Sequence, residues 1–331
     1  MSSENNLITP FPGISPYSEK EADNFYGRER EVEDVLGILK RFKLVTICGE
    51  CGSGKTSLIE AGILPKLKKG FLGQAGKEWV ICNFRPGISP LENFSYALSD
   101  SGALYLRGKS KTTDHQDYKT KIEEKRDLGL IEIFASSEIY EKKNLLIVVD
   151  QLEDFFKFPK FLDSEQTNED DILFDLIYRT SKYKQTSIYF ILALDLDYLA
   201  KLNSYDRFTE ILNQTQYNLP HLGKSALLEI NKNTLHKKNI QLSDEVLDDL
   251  GDHLNDNPSL LPDIQSFLSS IFNSYGDPMP KTIVYLDQEQ IAAFGNYNQN
   301  FENKLEAFYQ NLSDSEKKYF ELLMRSLCSG E

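Results

Sequence analysis

Eight residues, Gly49-Glu50-Cys51-Gly52-Ser53-Gly54-Lys55-Thr56, fit the spacing G-x-x-x-x-G-K-[ST], and the apolar stretch Lys43–Cys48 before them supplies the strand such a loop must leave. The glycines let backbone N–H groups close around phosphate oxygens, Lys55 adds a point charge toward the β- and γ-phosphates, and the Thr56 hydroxyl is suited to Mg2+. A helix predicted over Lys55–Leu67, with Ser57 in its first turn beside the phosphates, aims its positive end at the same anion. The loop implies binding of a nucleoside triphosphate and demands a parallel α/β sheet to carry it.

A second motif, Leu145-Leu146-Ile147-Val148-Val149-Asp150-Gln151-Leu152-Glu153-Asp154, reads as a strand buried on both faces with an acid at its carboxyl end. Ligands of open parallel sheets bind at that end, so Asp150 is the expected Walker B aspartate, holding Mg2+ through water or Thr56. Glu153 and Asp154 follow within a turn, and one of them is expected to orient or deprotonate an attacking water. A solvated helix start is the plainer alternative, since acids favour the first turn of a helix.

The 331 residues, 40% hydrophobic and 11% aromatic, suggest about two or three domains with ample core. A net charge of −14 argues against broad nucleic-acid binding, which needs a basic face. No run approaches the roughly 18 apolar residues of a membrane span, and the polar start lacks the regions of a signal peptide, so a cytoplasmic location is expected. Cys48 and Cys51 form a C-x-x-C, but one ends a buried strand and the other lies in the phosphate loop. With Cys82 and Cys328 they read as incidental thiols. His115, His221, His236 and His253 have no zinc spacing, leaving Mg2+ as the implied metal.

Strands alternate with helices to about residue 200. A capping-box spacing at Ser18 and Glu21 precedes a helix over about Glu29–Phe42. Further strands are predicted at Trp79–Phe84 and Ser187–Leu194, and helices from Pro90, over Leu128–Tyr140 and over Asp171–Tyr183. Residues Gly108–Arg126, charged and poor in apolar groups, read as a mobile insertion. The pattern gives a three-layer parallel sheet. After Leu219-Pro220 only helices are predicted: Lys224–Leu235, Ser243–Leu254, Leu260–Asn273, and Phe301 to the end with a break near Ser313. The expected domains are an N-terminal segment over 1–28 near the nucleotide base, a P-loop core over 29–219, a helical arm over 220–275 and the start of a winged-helix-like region over 276–331, possibly cut inside a domain.

Together these residues resemble the STAND class of signal-transducing P-loop NTPases, in its bacterial branch. The resemblance is carried by Phe11-Pro12-Gly13-Ile14-Ser15-Pro16-Tyr17, Phe25-Tyr26-Gly27-Arg28-Glu29, the phosphate loop, Arg85-Pro86-Gly87, Asp150 to Phe156 and Leu260-Leu261-Pro262. It implies that the Gly27-Arg28-Glu29 segment lies near the adenine, with Tyr26 beside it, and that a proline of the arm, Pro262, covers the nucleotide. It further implies a slow ATPase that works as an ATP/ADP switch, forms homo-oligomers in the ATP state, answers a protein or ligand trigger, and serves signalling or antiphage defence. Read by themselves, Phe25 or Tyr26 stacks on a base or Phe25 staples the next helix, Arg28 contacts phosphate or ribose, and Pro262 opens a helix.

One position departs. Where the family presents a γ-phosphate-sensing arginine at the end of the fourth strand, this chain has Asp195. It points away, or acts through Mg2+ or water, or the protein discriminates ATP from ADP differently; facing the γ-phosphate it would favour ADP, and in the plainer reading Asp195 or Asp197 caps the helix at Tyr198. Two other readings compete. A P-loop kinase of a small acceptor needs a cationic lid, yet residues 155–176 carry more acids than bases. An AAA-like ATPase acting on nucleic acid needs an arginine finger, for which Arg179 and Arg207 are candidates, and a basic channel that the acidic balance disfavours.

Overall fold

The structure, a computed structural model, describes residues 10–100, 104, 115–157, 169–235, 239–257, 260–275, 280–294, 305–306 and 308–329. The chain divides into two compact units, Tyr17–His221 and a second that joins the residues up to Pro16 to Leu222–Glu331.

In the first unit, five strands form one sheet: β1 Leu44–Gly49, β2 Trp79–Phe84, β3 Asn144–Val149, β4 Ile188–Asp195 and β5 Gln216–Asn218. Their order is β2-β3-β4-β1-β5 and every pairing is parallel. The alternation of side chains explains why β1 and β3 read as unbroken apolar runs. Val45, Ile47, Leu146, Val148, Ile191 and Ala193 face one core, shared with Val35, Leu36 and Leu39 of the helix Glu29–Phe42. Leu44, Leu145, Ile147, Val149, Phe190 and Leu192 face the other, shared with Phe94, Phe134, Phe174 and Phe208. The turn into β1 is made by Lys43, whose φ of 58° is left-handed and whose N–H donates to Leu39 O. The three-layer parallel fold therefore stands.

The segment expected to be a mobile insertion instead contains the helix His115–Lys125, with Tyr118 and Ile122 buried in the core. Residues 108–114 of that segment lie outside the described ones. The helix predicted over Leu128–Tyr140 is confined to Gly129–Ala135.

In the second unit, Phe11 packs among Leu227, Leu247, Leu250, Ile264, Phe267 and Phe272. The helices are Lys224–Ile230, continued by a π-helical Asn231–Leu235, then Asp244–Asp256, Leu261–Ser274, Gln288–Ala292 and Asp314–Ser329. Ser243 caps the second of them by accepting from Val246 N at 3.3 Å. The expectation of helices alone fails here: β6 Ile240–Leu242 pairs in parallel with β7 Val284–Leu286. Each strand has three residues, too few for periodicity to reveal. The predicted start at Phe301 falls outside the described residues.

Candidate functional site

The phosphate loop leaves the carboxyl end of β1. Gly52 (φ 76°) and Gly54 (φ 91°) hold left-handed backbone that a side chain would strain. Gly49 is required for a different reason: a Cβ there would stand 2.7 Å from Ser53 Oγ. Ser53 is buried, and its hydroxyl has no hydrogen-bond partner. Lys55 Nζ donates to Gly49 O (2.7 Å) and Glu50 O (2.9 Å), which lays the ammonium along the loop. Glu50 and Cys51 are exposed, and Glu50 lies 3.6 Å from His221.

Although β4 separates β1 from β3, Thr56 Oγ1 donates to Asp150 Oδ1 at 3.2 Å. Two hard oxygen donors at this separation fit Mg2+, which takes only one or two protein ligands and completes its shell from phosphate and water. No group of three or more His, Cys, Asp or Glu suited to a metal occurs among the described residues. The other oxygen of Asp150 accepts from Arg85 Nη2 (3.0 Å) and Nε (3.3 Å). Arg85 is the side chain in this constellation to which sequence reasoning gave no separate role. Its place in Arg85-Pro86-Gly87, just past the carboxyl end of β2, is the signal that pointed there.

Glu153 and Asp154 are both buried. Glu153 Oε2 accepts from Asp195 N (3.1 Å) and Oε1 from Lys157 Nζ (3.3 Å), so both oxygens serve protein groups. Asp154 accepts only a 3.4 Å bond from Gly87 N, and burial pushes its carboxyl above the usual carboxylate range. Asp154 is thus the better placed of the two for proton chemistry. Asp195 accepts from Asp197 N at 3.1 Å and caps the 3-10 helix Leu196–Ser204, which matches the capping alternative.

Arg28 is 4% exposed. It donates to Pro220 O (2.8 Å), Ser53 O (3.2 Å) and Glu31 Oε1 (3.0 Å), so the guanidinium grips the phosphate loop from behind. Gly27 N donates to the Glu29 carboxylate, and Tyr26 is half-buried. Phe25 packs edge-on to Tyr17 at 5.6 Å and beside Gly62 of the segment Leu58–Ile63. Ser57 Oγ accepts from Tyr17 N, tying the preceding segment to the loop helix. Pro262, in the second unit, stands in the first turn of Leu261–Ser274. The Cys48 and Cys82 thiols are each pushed up to about 12 by burial, which suits inert packing groups. No helix among the described residues is long and apolar enough to cross a membrane.

A sequence profile of the family described as Novel STAND NTPase 1 matches residues 10–331. No curated protein matches the chain significantly in sequence. Among solved structures, the chain is similar to the Aeropyrum pernix ORC1 protein in complex with DNA, at 12% identity and a TM-score of 0.52, over 88% of this chain and 69% of that one. It is also similar to the Aeropyrum pernix ORC2 protein in its ADPNP-ADP complexes, at 13% identity and a TM-score of 0.55, over 83% and 69%. Identities this low establish a shared P-loop NTPase fold and nothing finer.

Proposed function

The chain belongs to the novel STAND NTPase family, and from that premise we propose that it is an ATP/ADP-operated switch with slow ATPase activity. Its nucleotide state controls self-association in signalling, with bacterial antiphage defence as the setting the family suggests. The observation that supports this reading best is the 3.2 Å link from Thr56 to Asp150, with buried Asp154 on the following turn. In this reading the loop N–H groups Gly49 to Ser57 cradle the phosphates, Lys55 swings from the loop carbonyls onto them, and Tyr26 and Gly27 border the base. Thr56 and Asp150 hold Mg2+, which supplies charge neutralisation at the phosphates. Asp154 positions the hydrolytic water and Glu153 braces the site from behind.

Three measurements test the reading. Denaturing the purified protein and identifying the released nucleotide should yield ADP. Lys55→Ala should abolish nucleotide binding in calorimetry with the fold intact. Size-exclusion chromatography should give different assemblies with ADP and with ATP; the same oligomer in every nucleotide state would remove the switch.

A further inference from the structure

Asp150 is a nearly buried carboxylate whose two oxygens are divided between a hydroxyl and a cation. Thr56 holds Oδ1 and the Arg85 guanidinium holds Oδ2 through Nε and Nη2. The Arg85 side chain is 58% exposed while that of Asp150 is 8% exposed. Its backbone is fixed by Asn93, whose Nδ2 donates to Pro86 O at 2.8 Å and to Arg85 O at 3.4 Å. A guanidinium on a fixed backbone, open to solvent and with Nη1 outside both bonds to Asp150, is free to exchange one anion for another.

The neighbouring charges leave this task to Arg85. Lys55 is the loop cation, Lys157 is spent on Glu153, and the end of β4, in register with Gly49, offers Asp195, a helix cap and an acid. Burial raises the Asp154 carboxyl, and the charge of Arg85 is among the smaller influences that oppose that rise. The planar fork of arginine suits a phosphate better than a lysine would.

We propose that Arg85 is the residue that distinguishes triphosphate from diphosphate: its guanidinium moves from Asp150 to the terminal phosphate, Asp150 being neutralised by the Mg2+ that accompanies the nucleotide. This rests on the nucleotide-binding reading above. Without a terminal phosphate Arg85 stays on Asp150, so the same side chain marks the diphosphate state.

The test is calorimetric titration of the full chain with ADP and with a non-hydrolysable ATP analogue, each with Mg2+, for the parent, Arg85→Gln and Arg85→Lys. Arg85→Gln should weaken the triphosphate analogue about tenfold or more and change ADP by less than about twofold; Arg85→Lys, which keeps the charge and loses the fork, should fall between. A thermal melt of each variant checks that it is folded. Equal losses for both nucleotides, or an unchanged ratio, overturn the proposal. A parent that binds neither nucleotide overturns the nucleotide reading, and this proposal with it.

Discussion

Replacing Arg28 by Met keeps much of the apolar stem and removes the guanidinium. The lost bonds run to Ser53 O, Pro220 O and Glu31 Oε1, and bonds to a charged group contribute about 1.5–3 kcal/mol each. They do not simply add, because the hydration of a guanidinium only 5% exposed is recovered on unfolding. What remains is the cost of leaving two carbonyls and a Glu31 carboxylate, 16% exposed, without their partner, about 3–5 kcal/mol for breaking a buried pair. That is about a fifth or more of the roughly 5–15 kcal/mol that holds a typical domain together. Urea unfolding should show this loss as a lowered midpoint at an unchanged slope. Nucleotide affinity should fall by less than about tenfold, since the loop keeps its own N–H groups and Lys55. Glu31→Gln in the Arg28→Met background should recover part of the stability. Full stability with nucleotide binding abolished would refute the reasoning and put the guanidinium on the ligand.

Asp195→Ala should lower stability by about 1 kcal/mol through the lost cap, with the ATP to ADP affinity ratio unchanged in calorimetry; a shifted ratio would make Asp195 a phosphate sensor after all. Asp154→Asn should bind ATP and lose turnover by about 100-fold or more in a phosphate-release assay. The same variant has a pH signature. Burial raises the Asp154 carboxyl in the native state, so its contribution is complete below the unfolded-state carboxylate range and is lost as pH rises through the native value. Asp154→Asn should therefore melt above the parent at pH 7, with the gap closing below about pH 4; a gap independent of pH would show that the carboxyl is not strained by burial. Gly62→Ala should destabilise by about 1–3 kcal/mol, because the new Cβ meets Val32 Cγ2 at 2.6 Å and the Phe25 ring at 3.1 Å.

The phosphate loop and strands β1, β2 and β3 were legible because each is a local pattern, glycines at fixed offsets or an apolar run between turns. β5 was not: Gln216-Tyr217-Asn218 is polar and is a strand only because β1 offers it an edge at Thr46–Cys48. The helix His115–Lys125 hid for a related reason, since Tyr118 and Ile122 are its buried residues and the rest is charged. At the site, the motifs name Lys55, Thr56, Asp150 and Asp154, but the partners of Arg28 and Arg85 lie far along the chain. Ser53 is 25 residues from Arg28 and Pro220 is 192 away, and Asp150 is 65 from Arg85. Only the assembled fold brings such pairs together.

Past Val149 the chain does not run on beside β4 but crosses its end. Leu152 N donates to Ala193 O at 2.8 Å and Asp195 N donates to Glu153 Oε2 at 3.1 Å, so the two chain ends are stitched crosswise. Asp195 is also the first anchor of the 3-10 helix Leu196–Ser204. A tug on that helix therefore has a lever arm of one residue to Glu153, and the next peptide along carries Asp154. Tyr198 and Lys201 lie on that helix, so the hydrogen-bonded route from them to the carboxyl end of β3 runs through Asp195 and Glu153.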